Sequence, residues 1–422
     1  MKINDIKSEL QKGLGKWECL YTDPASECER ISLALDSFYS AFGAEDVCVL
    51  SVPGRSEIIG NHTDHNGGKV IAGAITRDII AIAAKNGSDC IRFRSEGYAA
   101  DQVQLSAVTN PSSFKRFTSR SLVAGVAGGF IKEGYKVGGF DIYMTTKVLK
   151  GSGLSSSAAF EVMIGNALNH LFNGGEIDNK EIAKIARYSE NAYFGKPCGL
   201  MDQMACAVGG FVYIDFGDAA SAKVASVDFS LADAGYTLCI TNTGGSHANL
   251  NDDYASVPAE MKSVAAILGR ELLVGVSENE LLSASASIRQ SLGDRALLRA
   301  IHYVRECGRV EAAKSSLLSG DLQGFLKCIK ESGESSFCYL QNVYTNKAPA
   351  EQGMSLALAL SDGYLRERGG AWRVHGGGFA GTVQAFVPTA ELEGYRTLLN
   401  SVFGEGAVDV LNIRPLGATK LY

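Results

Sequence analysis

Hydrophobic and polar positions in the first part of the chain alternate in ways that predict both helices and strands. Residues 27–42 carry apolar side chains at helical spacing among charged ones, which predicts an amphipathic helix. Residues 47–52 form a short apolar run rich in valine that stops at a Pro-Gly pair, which predicts a strand. A polar, glycine-containing loop is predicted over 55–69, and one or two strands are predicted over the mostly apolar residues 70–84.

The rest of the chain shows the same mixture of patterns and no internal repeat. A stretch of small and polar residues at 217–225 marks a domain boundary, so we predict two domains, 1–222 and 223–422. The predicted helices are 158–172, 182–193, 296–316 and 349–362, and the predicted strands are 140–144, 209–215, 236–241 and 383–387.

Composition excludes several classes of protein. With 46% hydrophobic and 20% charged residues, the 422-residue chain has the composition of an ordinary globular protein. Lys and Arg total 40 against 46 Asp and Glu, and this net charge of −6 argues against a general nucleic-acid binder. The apolar stretches are far shorter than the ~20 residues of a membrane span. We therefore expect neither nucleic acid nor a membrane among its partners.

The cysteines bear on the cellular location. Ten cysteines are scattered along the chain without a CxxC pair, a pattern typical of reduced thiols in the cytosol. The first residues contain no apolar segment of the kind found in secretory signals. We therefore expect a cytoplasmic protein.

A glycine- and serine-rich segment directly before the predicted helix 158–172 has the features of a phosphate-binding loop. Its glycines let the backbone approach a ligand, and the N–H groups at a helix N-terminus favour an anion. No Gly-Lys-Ser/Thr follows, so the segment is not a Walker A loop. A turn that only caps the helix is the alternative. The candidate ATP-binding residues are Gly151, Ser152, Gly153, Leu154, Ser155, Ser156 and Ser157.

A second group of polar side chains lies in the predicted loop after the first strand. It comprises Arg55, Asn61, His62, Asp64, His65 and Asn66. A polyol needs both hydrogen-bond donors and acceptors, and this group offers both. The alternatives are a zinc site built on the two histidines and the aspartate, or a plain surface loop.

Two acids flank a Pro/Gly turn farther along the chain. Glu190 and Asp202 suit a division of labour in which one binds Mg²⁺ and the other accepts a proton from a sugar hydroxyl. The alternative is a charge at a helix end and an ordinary helix N-cap. The four glycines within 375–382 on their own predict only a turn.

Together, these segments resemble the galactokinase branch of the GHMP small-molecule kinases. Residues 54–68 match its Gly-Arg-x-x-x-x-Gly-x-His-Thr-Asp-x-Asn-Gly-Gly signature in order and spacing, and 151–159 is similar to its nucleotide loop. Residues 199–203 carry its Gly-x-Met-Asp-Gln segment, and 376–381 carry its Gly-Gly-Gly-Phe-x-Gly segment. The resemblance spans roughly residues 45 to 420.

The resemblance implies an α+β protein with a two-domain GHMP kinase fold. Its N-terminal domain is ribosomal-S5-domain-2-like and contains the phosphate loop, its C-terminal domain is ferredoxin-like, and the active site lies in the cleft. The implied activity is transfer of the γ-phosphate of ATP to the C1 hydroxyl of galactose or a close relative. The implied cofactors are ATP and Mg²⁺, and the implied state is a monomer or weak homo-oligomer.

The resemblance also assigns roles to individual residues of this chain. It places Asp202 next to the C1 hydroxyl, as base or orienting carboxylate, and Arg55 as the group that stabilises the charge around that acid and the moving phosphoryl group. It assigns Mg²⁺ to Ser157 and Glu190. The implied sugar-binding residues are Asn61, His62, Asp64, Gly199 and Tyr254.

One departure from the family pattern bears on the substrate. Asn61 stands where the family usually has a Glu that bonds the sugar near C6. Because Asn is neutral and can donate, a modified hexose such as galacturonate or an N-acetylhexosamine is an alternative substrate. A non-catalytic sugar and ATP sensor on the same scaffold is a further alternative. Relatives of that kind lose part of the serine loop or the acid, whereas 155–157, Arg55 and Asp202 are all present here.

Overall fold

The computed structural model describes residues 1–148, 153–196, 198–218, 222–245 and 250–422. The predicted phosphate-loop residues Gly151 and Ser152 therefore lie outside the described residues. Within the described ranges, none of the helices combines the length and the apolar character that crossing a membrane requires. The ten cysteines all carry free thiols, and five of them are buried.

Helices and strands both contribute to the described chain. The helices are α1 (Ile3–Leu10), α2 (Pro24–Phe42), α3 (Ser119–Lys132), α4 (Ser156–Phe172), α5 (Asn179–Ser189), α6 (Met201–Val208), α7 (Asn251–Ile267), α8 (Glu278–Ser283), α9 (Ser285–Leu292), α10 (Asp294–Ser319), α11 (Leu322–Ser335), α12 (Gly353–Leu365) and α13 (Leu392–Phe403). The strands are β1 (Cys48–Ile59), β2 (Lys69–Lys85), β3 (Cys90–Ser95), β4 (Asp101–Gln104), β5 (Phe140–Thr146), β6 (Phe211–Asp215), β7 (Lys223–Val227), β8 (Tyr236–Asn242), β9 (Ala371–Val374), β10 (Thr382–Pro388), β11 (Val408–Leu411) and β12 (Thr419–Lys420).

Two compact units make up the chain, and neither is continuous in sequence. The first unit comprises 1–55, 74–210 and 414–422, and the second comprises 56–73 and 211–413. Strands β1 and β2 each pass from one unit into the other. This division differs from the predicted domains 1–222 and 223–422, which remain a prediction.

The first unit is a mixed sheet with helices. Its strands follow the order β12-β1-β2-β5-β3-β4, in which β5 pairs antiparallel with β2 and parallel with β3. Helices α1 and α2 pack on this sheet through a core that includes Ile6, Leu35, Phe38, Val49 and Ile80. Helix α2 begins where the Asp23 side chain accepts the Ser26 N–H, and it ends at the left-handed Gly43.

The second unit contains antiparallel pairings and a separate helical core. The first half of β2 pairs with β6, which pairs with β7, and a separate four-stranded sheet has the order β11-β8-β10-β9. Helices α12 and α13 pack on that sheet through Met354, Leu365 and Tyr395. Helices α7 to α10 form a second core. The mixture of helices and strands confirms the predicted α+β class.

One predicted element boundary is wrong because buried polar residues were read as loop. The predicted loop 55–69 begins five residues later, since β1 continues to Ile59 and is buried along its whole length. Over 70–84, where one or two strands are predicted, the structure has one continuous strand, β2. Its Asp78 carboxylate is fully buried and lies 2.7 Å, through Oδ1, from Nη1 of Arg30. Because Arg30 compensates its charge, Asp78 can remain within a buried strand and does not require a loop at this position.

The predicted helix 182–193 ends earlier than expected. Helix α5 stops at Ser189, and Glu190–Phe194 form a single π-helical turn. Such turns widen a helix locally and re-aim the side chains that they carry. Glu190, one of the two acids selected from the sequence, is the first residue of that turn.

Candidate active site

The predicted acid Asp202 is held by two residues of the first unit. It lies in the first turn of α6, and both Nε and Nη2 of Arg55 are 2.8 Å from its Oδ1 atom. The Ser155 hydroxyl donates to Oδ2 at 2.5 Å. Both carboxylate oxygens therefore have a donor, and the predicted association of Arg55 with Asp202 is present in the structure.

This arrangement keeps the Asp202 carboxylate ionised. Burial acts to raise its pKa, but the charge and hydrogen bonds of Arg55 outweigh burial, and the pKa lies below the ordinary aspartate value. The Ser155 backbone has a φ of 59°, a left-handed conformation that is strained for a side chain with a Cβ. Helix α4 starts at the next residue, so this strained serine is the point where the glycine-rich segment turns into the helix.

The glycine-rich segment also contacts β1. Arg55 donates its Nη1–H to the Gly153 carbonyl at 2.6 Å and its backbone N–H to the Leu154 carbonyl at 3.1 Å. Gly54 is required for this approach, because a Cβ there would lie 2.7 Å from the Leu154 oxygen. The glycine of the signature thus permits contact with the loop.

A second acidic group in the first unit consists of Glu190 and Glu161, and Glu161 was not selected from the sequence. Gln203 donates through Nε2 to Oε2 of Glu190 at 2.7 Å and to Oε2 of Glu161 at 3.2 Å. Lys196 Nζ lies 3.2 Å from the other Glu190 oxygen. The Glu161 Oε1 atom is buried without a hydrogen-bond partner among the described residues.

Burial of Glu161 and the neighbouring charge of Glu190 raise the Glu161 pKa well above the ordinary glutamate value. A signal for Glu161 was present in the sequence. It follows Ser157 by four residues in α4, and residues with that spacing share a helix face. Reading the serine loop together with the helix that follows would have found it.

The predicted sugar residue Asn61, in the second unit, is fully enclosed by protein. Its Nδ2 atom donates to Oε1 of Glu57 at 2.9 Å and to the Gly376 carbonyl at 2.6 Å. Its Oδ1 atom accepts from Asn342 Nδ2 at 2.7 Å and from Ser336 Oγ at 3.3 Å. The two donors and the acceptor oxygen of the carboxamide are thus all used within the protein.

Two other predicted sugar residues contact the glycine-rich turn 376–378. His62 Nε2 is 2.8 Å from the Gly377 carbonyl, and the Tyr254 hydroxyl donates to the Gly378 carbonyl at 2.8 Å. Burial lowers the pKa of His62, although the Gly377 carbonyl and the Glu57 charge oppose that effect. The glycine-rich turn therefore contacts two of the residues that were predicted to bind the sugar.

The remaining predicted sugar residues are less enclosed. The Asp64 side chain is 16% exposed, and its Oδ1 atom lies 3.8 Å from Nε2 of His65. Gly199 is half-buried. Asp64 is therefore a carboxylate that solvent reaches at the edge of the signature.

Two residues of α10 fix the backbone of the signature, and neither belongs to a motif that the sequence analysis selected. Glu306 Oε1 accepts the N–H of Gly60 at 3.1 Å and that of Asn61 at 3.4 Å. His302 Nε2 is 3.0 Å from the Asn61 carbonyl. Burial lowers the pKa of His302 to about 4, which keeps the ring neutral. The charges of Arg309 and Arg373 help to outweigh burial at Glu306, whose pKa is lowered to about 2.

Two regions of the chain match models of known protein families. The model described as "GHMP kinases N terminal domain" matches residues 121–210, and the model described as "Galactokinase galactose-binding signature" matches residues 36–85. The two matches cover the serine loop with its acids and the sugar signature.

Curated relatives cover nearly the whole chain. A galactokinase from Streptomyces coelicolor is 31% identical over 372 residues, which is 87% of this chain and 92% of the relative. A galactokinase from Glaesserella parasuis is 30% identical over 373 residues, with 87% and 92% covered.

Solved structures show the same fold. Lactococcus lactis galactokinase, solved with galactose, matches with a TM-score of 0.77 at 24% identity, covering 92% of this chain and 99% of that chain. A mevalonate kinase matches with a TM-score of 0.58 at 16% identity, covering 87% and 99%.

Proposed function

The chain belongs to the galactokinase family of GHMP kinases, and we propose that it transfers the γ-phosphoryl group of ATP to the C1 hydroxyl of galactose. The observation that carries this proposal is the Asp202 carboxylate, which Arg55 and Ser155 hold ionised and fixed. The names of the relatives and the galactose-binding signature over 36–85 support the choice of sugar.

In the proposed reaction, the sugar oxygen forms a bond to the γ-phosphorus as the bond from that phosphorus to the β-phosphate oxygen breaks. ADP leaves, and the hydroxyl proton passes to Asp202 and then to solvent. A carboxylate with a lowered pKa is a weak base, so Asp202 mainly orients the hydroxyl and takes its proton late. Arg55 keeps positive charge beside the acid and the transferring group.

The phosphates of ATP are assigned to the start of α4. The helix begins at Ser156, where the first N–H groups have no partner in the helix and favour an anion. Ser156 and Ser157 add hydroxyl donors, whereas the Ser155 hydroxyl donates to Asp202. Gly151 and Ser152 remain part of the predicted loop, outside the described residues.

The first unit also offers donors that fit Mg²⁺. This cation prefers oxygen ligands and is usually held by one or two carboxylates together with substrate phosphates. Glu190 and the unpartnered oxygen of Glu161 supply buried carboxylate oxygens, and Ser157 supplies a hydroxyl. We assign the cation to Glu190 and Ser157, with Glu161 beside them. When bound, it would neutralise charge on the phosphates.

The substrate alternatives differ in support. Asn61 was the reason to consider galacturonate or an N-acetylhexosamine, but its carboxamide is already bonded to protein on both sides. That occupancy favours an unmodified galactose. The sensor alternative has no supporting observation, because the acid, the arginine and the serines are all present. Cytoplasmic location remains part of the proposal and is supported by the ten free thiols.

A phosphorylation assay tests the proposal. Purified protein with ATP and Mg²⁺ is given galactose, galacturonate, N-acetylgalactosamine and glucose, and ADP release and the position of phosphate in the product are measured, the latter by NMR. We expect turnover of galactose with phosphate on C1. The Asp202→Asn variant should lose about 100-fold or more in kcat and still bind ATP. Absence of galactose turnover by the wild-type protein would contradict the proposal.

A further inference from the structure

The Glu57 carboxylate is anchored at the centre of the sugar signature. It lies in β1 and is only 7% exposed. Its Oε1 atom accepts from Nδ2 of Asn61 at 2.9 Å and from Nη2 of Arg373 at 3.2 Å. Arg373 is itself fully buried and donates to the Ile58 carbonyl at 2.7 Å. One oxygen of Glu57 is therefore fixed by two donors.

The other oxygen of Glu57 has no such partner. Among the residues that the structure describes, Oε2 accepts no hydrogen bond, and it is not enclosed as a fully buried atom. A buried carboxylate normally has donors on both oxygens. An anchored carboxylate that keeps one oxygen accessible is suited to accept a hydrogen bond from a ligand.

The surroundings point to the sugar as that ligand. Glu57 contacts Asn61, whose carboxamide has no group left for a substrate. Its charge also acts on His62, a predicted sugar residue. Of the carboxylates in this part of the second unit, Glu306 is enclosed and bonded to protein on both oxygens.

We propose that Glu57 binds the sugar, with Oε2 accepting a hydrogen bond from one of its hydroxyl groups. This inference deepens the proposed function and rests on it. A charged acceptor forms a stronger bond to a hydroxyl than a neutral one does. A sugar that lacks that hydroxyl leaves the carboxylate unpaired, and a sugar that carries a carboxylate there meets a like charge. Glu57 thereby selects a neutral hexose.

The test combines a change in the protein with a change in the sugar. Binding of galactose and of its 2-, 3-, 4- and 6-deoxy forms is measured by calorimetry without ATP, for the wild-type protein and for Glu57→Gln. We expect one deoxygalactose to bind the wild type about 10- to 100-fold more weakly than galactose. In Glu57→Gln, that same penalty should shrink to about 3-fold or less, because the two deletions remove one shared contact.

A matched control separates this contact from a general loss of charge. Glu27 is also a buried glutamate paired with an arginine, since its Oε2 atom lies 2.8 Å from Nη1 of Arg30, but it belongs to the first unit. Glu27→Gln should leave every deoxygalactose penalty unchanged. If Glu57→Gln does not fold, Glu57→Asp is the second variant. It keeps the charge on a side chain shorter by one methylene, and it should also reduce the loss of affinity for that deoxygalactose.

Equal penalties in the wild type and the Glu57 variants, for all four deoxygalactoses, would overturn the assignment of Glu57. Because binding is read without turnover, a wild type that binds galactose but does not phosphorylate it would contradict the proposed function alone. A wild type that binds neither galactose nor any deoxygalactose would overturn both.

Discussion

Arg55 holds Asp202 through two nitrogens, with Nε and Nη2 each 2.8 Å from the same carboxylate oxygen. This pair sets the pKa of the acid, since burial would otherwise raise it. The pair also joins two of the sequence segments that carry the family resemblance. The strength of this ion pair therefore determines the pH at which the Asp202 carboxylate becomes protonated.

Replacing Arg55 should move the acidic limb of the pH profile. In Arg55→Gln, burial is opposed only by Ser155 and Lys196, so the Asp202 pKa rises and kcat/KM decreases at a higher pH than in the wild type. The maximal rate should also fall by about 100-fold or more. A pH profile of galactose phosphorylation measures both effects. Arg55→Lys keeps the charge and should hold the limb closer to its wild-type position, whereas an unmoved limb in Arg55→Gln would show that another group controls it.

Gly54→Ala should damage ATP use. The added Cβ would lie 2.7 Å from the Leu154 carbonyl and 2.9 Å from Cγ1 of Val148, so the segment before α4 must move. A displacement of that size at a phosphate site costs about 10- to 100-fold in rate. Steady-state kinetics should show a raised KM for ATP and a lowered kcat. Gly308→Ala, in open space on α10, is the matched control and should behave as the wild type. Unchanged ATP kinetics in Gly54→Ala would contradict the role of this approach.

His302 should make the protein less stable in mild acid. Its pKa in the folded protein is about 4 against an ordinary 6.5, so between these values the unfolded chain takes up a proton that the folded chain does not. The free energy of unfolding should therefore fall as pH drops from 6.5 to 4, by about 3 kcal/mol through this residue. Urea unfolding at several pH values measures the loss. In His302→Gln the slope over this interval should be shallower, and an equal slope in both proteins would contradict the prediction.

Asn61→Glu should destabilise the protein, because it brings a second carboxylate against Glu57 in a buried site. The exchange variant Glu57→Asn with Asn61→Glu keeps one carboxylate and one amide and should recover most of the lost stability. Thermal unfolding of the two single variants and the exchange variant measures the coupling. Simple addition of the two single effects would show that the residues do not act as a pair.

Local sequence patterns predicted the elements whose burial is periodic. Helix α2 was predicted from its apolar spacing, and it ends at Phe42, directly before its C-cap Gly43. Helix α3 was missed, because Gly125, Gly128 and Gly129 lower helix propensity. Those glycines allow close packing instead, since a Cβ at Gly129 would lie 2.7 Å from Cγ2 of Ile185. Packing of that kind depends on the partner helix and cannot be read from α3 alone.

Some residues of the candidate site were predicted from local motifs, whereas others are identified only by the fold. Arg55, Asp202 and Glu190 were selected because their motifs are contiguous and chemically specific. Glu306 and His302 were missed because they lie more than 240 residues from the backbone groups that they bond. In the sequence, they are two polar residues on an ordinary amphipathic helix. Only the fold shows that they face Gly60 and Asn61.

The contact between Glu57 and Asn61 has an evolutionary consequence. A carboxylate and an amide four residues apart form one hydrogen-bonded unit, so neither position can change its charge without affecting the other. We expect the two positions to covary among related chains, with acid at one accompanied by amide at the other. A substrate assignment based on position 61 alone would then misjudge chains in which the acid has moved to position 57.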